Sequence, residues 1–196
     1  VLREHDARLP FVISSVVLLL TALALSRIEY DAARDTPPPT PEEAAKPLGL
    51  TSIIFIVAMV ALALGYQLHF AMNSAPFYLR FAAPDQLPWL MPVFWIGFNI
   101  AMFPASLVVK HRGGLIVMGV AGLFGAVAIA AAEFAGGLNT LIAAQFLAGA
   151  AWGCMLMSAV SAGLAIGATG AEGKVTGLVF SALALGTFAR MAAVAG

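Results

Sequence analysis

Stretches of about twenty predominantly apolar residues, long enough to cross a bilayer as a helix, recur along this chain with short polar breaks between them. Six can be marked: residues 10–26, 48–72, 87–109, 115–132, 140–166 and a last one from 175 to 196. In hydrocarbon each must be helical, because an open strand would leave its amides and carbonyls unpaired. The expected fold is therefore all-α: a polytopic membrane helix bundle of about six transmembrane helices. Charge content agrees. Only 10% of the 196 residues are charged and 61% are hydrophobic. A soluble domain carries about 25% charged residues, so a water-facing globule of this size could not cover its surface.

The same composition excludes other classes. Formal net charge is zero, which provides no basic field for nucleic acid. Cys154 is the single cysteine, so no intrachain disulfide forms. There is no serine–histidine–acid arrangement, no nucleotide loop and no metal cluster of standard spacing. Neither an enzyme nor a cofactor is expected. The chain begins at Val1 and ends at Gly196 inside an apolar run, and is expected to be a piece of a longer protein.

Three parts are expected. Residues 1–26 carry one membrane helix; Glu4 and Asp6 before it oppose a signal peptide. Residues 27–47, with Pro37, Pro38 and Pro39 in succession, form a stiff polar linker, since proline cannot continue a helix. Residues 48–196 hold the remaining spans as an incomplete bundle. Pro92 and Pro104 are expected to kink the third span. Gly149 and Gly153 form a small-xxx-small pair, which favours close helix packing.

Orientation follows from Lys and Arg, which stay on the cytoplasmic side of short loops. Placing "KHRGG" (110–114) inside also places the linker, with Arg27, Arg34 and Lys46, and the turn with Lys174 inside. The other side receives Arg3, Arg8, Arg80 and Arg190. The bias favours a cytoplasmic linker.

This order of elements resembles the major facilitator superfamily. The resemblance rests on a span, a cytoplasmic linker, a span with a polar end, and a span closing on a basic, glycine-containing turn. The family's loop pattern is roughly G-x-L-a-D-R-x-G-R-R. In "SLVVKHRGGL", Ser106 stands at the first glycine, Val108 at the leucine, Lys110 at the aspartate and Gly113 at the second glycine. Gly114 and Leu115 replace the terminal basic pair. On this register the six spans resemble helices six to eleven of twelve. The register places residues 10–26 and 115–132 at the periphery, and these are the spans poorest in polar groups. The resemblance implies a transporter in a cell inner membrane that moves a small solute by alternating access, with the remaining half of the same transporter as its partner. It also implies that Lys110, His111, Arg112 and Gly113 form a loop that gates conformational change.

Polar groups at membrane depth face a cavity or a neighbouring helix. The cavity candidates are Gln67, His69, Asn73, Asn99, Gln145, Ser158 and Arg190. His69, Met72 and Asn73 are expected on one helix face, being three and four residues apart. His69 stands out because histidine changes charge near neutral pH. Two other functions compete. One is a non-transporting scaffold or assembly subunit of the same fold. The other is a copper importer, for which His69 with Met72 and Cys154 with Met157 supply soft ligands.

Overall fold

The computed structural model describes residues 49–167 and 172–195. The expected first helix and the linker lie outside the described residues. Within them every regular element is helical. Five helices are long and apolar enough to cross a membrane: α1 (Leu50–Tyr78), α2 (Pro84–Arg112), α3 (Gly114–Glu133), α4 (Leu138–Gly167) and α5 (Glu172–Ala195). By length and composition, this part of the chain is a multi-pass membrane bundle. Large apolar side chains such as Ile54, Val57, Phe103, Leu123 and Phe188 point outward, as they do where lipid is the solvent.

Two helices run further than their apolar runs predict. The apolar run marked over 48–72 stops short of Pro76, yet α1 continues to Tyr78. Proline cannot donate to the turn before it, and its ring crowds the carbonyl four residues back. The chain answers with a π-helical segment over His69–Asn73, a wider turn that accommodates Pro76. The Ser74 hydroxyl donates to the His69 carbonyl at 3.4 Å. At the other end of the bundle, Lys110, His111 and Arg112 form the last turn of α2 and not a loop. The Lys110 and Arg112 charges complement the negative end of the helix dipole, each by roughly 0.3–1 kcal/mol.

The connector between α2 and α3 is thus one residue, Gly113, at φ 81°. A side chain there would be strained. Gly114 serves differently. A Cβ on it would come within 2.6 Å of the Ser158 carbonyl oxygen on α4, so glycine lets the start of α3 lie directly on the α4 backbone. Pro92 marks an interruption at Met91 between Leu87–Leu90 and Pro92–Arg112. Pro104 lies inside an uninterrupted helical stretch, and the Cys154 thiol approaches the Ala101 carbonyl at 3.8 Å nearby.

Helix α4 is central. Half of its most apolar segment is buried, against 22–28% for the other four helices. Its buried positions are mostly Ala, Gly and Ser, so neighbours can approach closely. It packs against α2, α3 and α5, while α1 packs chiefly on α5. The α2–α4 seam is reciprocal. A Cβ on Gly149 would collide with the Phe94 carbonyl oxygen, one on Gly153 with that of Phe98, and one on Gly97 with that of Phe146. On α1, Phe55, Met59, Ala63 and Tyr66 recur at helical spacing on the buried side. They meet Val175, Val179 and Ala182 of α5 in one core.

At the end of the bundle opposite Gly113, Arg80 ties α1 to α3. Its guanidinium donates to both Glu133 carboxylate oxygens at 3.0 and 3.1 Å, and to the Glu133 carbonyl at 3.0 Å. It also lies 4.6 Å from the centre of the Phe77 ring. The two side chains are 41% and 51% exposed, so the ion pair adds no more than about 1 kcal/mol.

Candidate functional site

The sequence places Tyr66, Gln67 and His69 within one turn of α1; Tyr66 and His69 reach α4, and Gln67 reaches α5. Tyr66 lies against Trp152 of α4, with ring centroids 4.7 Å apart. Its hydroxyl fills the space that a side chain at Gly125 of α3 would take. Gln67 donates through Nε2 to the Thr187 hydroxyl of α5 at 3.3 Å, and Thr187 in turn donates to Leu183 O. His69, where the π-helical segment begins, reaches Gln145 of α4, with Nε2 and Oε1 3.1 Å apart.

The His69–Gln145 pair is the most enclosed side-chain-to-side-chain polar contact in the described bundle. His69 is 2% exposed and Gln145 is 0% exposed. Gln145 stands seven residues into α4, about 10 Å along the axis. Phe77 and Phe94 lie beside the imidazole, at centroid distances of 6.1 and 6.5 Å. One hydrogen bond leaves both residues incomplete. With the amide oxygen accepting, imidazole Nε2 donates. His69 Nδ1 then holds a free lone pair, and Gln145 Nε2 holds two free N–H groups. Neither atom has a partner among the described residues, and the buried Tyr66 hydroxyl has none either. An unsatisfied buried polar group costs about 1–3 kcal/mol, so this arrangement is not one that packing alone favours. A cavity of about 10 Å³, lined by Tyr66, Gln67, Phe70, Phe94, Trp95 and Trp152, lies beside Tyr66 and has room for no more than about one water.

The other sequence candidates do not join this group. Met72 and Asn73 are exposed while His69 is buried, so the expected shared face does not form. The π-helical segment changes the angular step between them, and spacing rules for a regular α-helix cease to apply. Met72 therefore does not stand with His69 as a second soft ligand. Asn99 is exposed and donates to Trp95 O of its own helix at 2.7 Å. Ser158 is fully buried, but its hydroxyl is satisfied within α4, with the Cys154 and Met155 carbonyls at 2.7 and 2.9 Å. Arg190 is half-buried and stands eighteen residues after Glu172, about 27 Å along α5, near the helix end. Lys110, His111, Arg112 and Gly113 are all exposed at the opposite end from Arg80.

Nothing in the sequence marks Tyr66 or Thr187 as site residues. A tyrosine and a threonine in apolar helices carry no periodic signal, and the glycine that receives Tyr66 is 59 residues away. Comparison with protein families, curated proteins and solved structures gives no match.

Proposed function

We propose that this chain is part of a membrane transporter that moves a small solute by alternating access. In this reading it corresponds to the second half of a major-facilitator-like protein in a cell inner membrane. The observation that carries the reading is the His69–Gln145 pair. An ionisable side chain at membrane depth is costly to keep, and such groups mark solute or proton pathways. Here the imidazole keeps an open valence toward a partner, beside an amide with two open donors. That combination suits a ligand hydroxyl or carbonyl, or a proton in transit. The π-helical segment at His69 adds support, since such segments recur at functional sites. The small-residue seams are consistent with helices that pack by close approach.

The test is a thermal-stability screen of the full-length protein in mild detergent against sugars, organic anions and amphipathic cations. One solute class is expected to raise the melting temperature, and His69→Ala is expected to abolish that response while the unliganded protein still folds. A protein that responds to no solute, yet purifies stably with a partner complex, would be a scaffold, and the transport reading would be abandoned.

A further inference from the structure

Arg112 lies between two apolar clefts. The first, about 470 Å³, is bounded by Val108 and Arg112 of α2, Ile116, Val120 and Phe124 of α3, and Cys154 of α4, among others. The second, about 430 Å³, runs on the other side of the start of α3, past Leu115, Ile116, Ala162, Ala165 and Ile166, and also includes Arg112. The clefts are nearly equal in volume, and Arg112 lines both. Ile116, Val120 and Phe124 follow one another at four-residue steps. The first cleft therefore runs about 12 Å along α3, inward from the helix end. A cleft with this direction in a membrane bundle lies parallel to the lipid tails.

Charge decides what fits at the mouth. Arg112 follows Lys110 and His111, and no acidic residue stands in the first turn of α3. Glu133, at the far end of α3, is taken by Arg80. Among the described residues Arg112 has no carboxylate partner. Its planar fork of N–H donors matches two oxygens of a phosphate. Basic pockets between membrane helices at the bilayer surface select anionic headgroups.

We propose that Arg112 and the first cleft hold one anionic phospholipid, its phosphate on the guanidinium and an acyl chain along the cleft. The lipid bridges α2, α3 and α4 at the Gly113 turn. Its capture requires only that the bundle lie in a bilayer, so it stands whether or not the protein transports a solute.

Native mass spectrometry of the full-length protein, titrated with phosphatidylglycerol, phosphatidylcholine or inorganic phosphate, tests this. One phosphatidylglycerol is expected to be retained with about tenfold preference over phosphatidylcholine: both carry the phosphate, but the choline cation cancels its charge beside Lys110 and Arg112. Arg112→Gln should erase the preference. Val120→Trp, which fills the first cleft and leaves the guanidinium in place, should weaken retention of both lipids. Arg80→Gln should change neither. If Arg112→Gln is not recovered folded, Arg112→Lys is read in its place, and it should lose affinity through loss of the fork. Undiminished phosphatidylglycerol binding in the Arg112 variant overturns the proposal. So does indifference to Val120→Trp. Inorganic phosphate that displaces the lipid equally well would show a bare anion site and likewise overturn it.

Discussion

Gly149→Val is expected to cost the bundle at least about 3 kcal/mol, read as a collapse of the melting temperature or loss of monodisperse protein in detergent. The obstacle is backbone and not side chain. The first carbon added at Gly149 meets the Phe94 carbonyl oxygen of α2, and a carbonyl in a helix cannot rotate aside. The helices must separate, and the contacts of Gly97 with Phe146 and Gly153 with Phe98 along the same seam separate with them. In lipid this loss is severe, because helix association rests on close packing with no water to exclude. Gly119→Ala is the control. Nothing lies within 4 Å of its added carbon, so stability should be unchanged or rise by about 0.5–1 kcal/mol through reduced backbone freedom. Equal losses from both substitutions would refute the reciprocal seam.

The second large effect separates structure from function at the buried pair. Gln145→Leu leaves the His69 imidazole without its protein partner, and stability should fall by about 1–3 kcal/mol. His69→Leu strands the amide and should cost a similar amount. Replacing both removes the stranded groups together, so His69→Leu with Gln145→Leu should recover most of the lost stability. Solute response should not recover in the double variant, since the open valences disappear with the side chains. Thermal melts of the four proteins complete the cycle. If the double variant regains both stability and solute response, the pair is only packing.

Much of the architecture was legible because lipid leaves few choices. The apolar runs located α1 to α5, and the Gly149–Gly153 spacing marked a contact face. The limits of the helices were less legible. The marked runs stop at Met72 and Val109, yet a π-helical segment accommodates Pro76 and α2 continues through the basic triplet 110–112. Gln67, His69 and Gln145 stand out singly as polar groups in apolar runs, but Tyr66 and Thr187 do not, and nothing in the sequence joins them. His69 and Gln145 are 76 positions apart, and no local pattern pairs them. Asn73 was expected beside His69 because a regular helix would place it there. Arg112 read as a topological signal, whereas its two clefts exist only once α3 folds back on α4.

The glycines of the α2–α4 seam and Gly114 have a mechanical consequence. Where main chain rests on main chain, no rotamer can change to absorb a small slip, so α2, α3 and α4 should travel as one raft. The α1–α5 side meets this raft through Phe55, Met59, Tyr66 and Val179, side chains that can repack. Any shear plane then falls between the raft and α1, and the His69–Gln145 contact straddles it. Spin-label distances should stay fixed between α2 and α4 while those from α1 to α4 vary; the opposite pattern would mean that the bundle divides elsewhere.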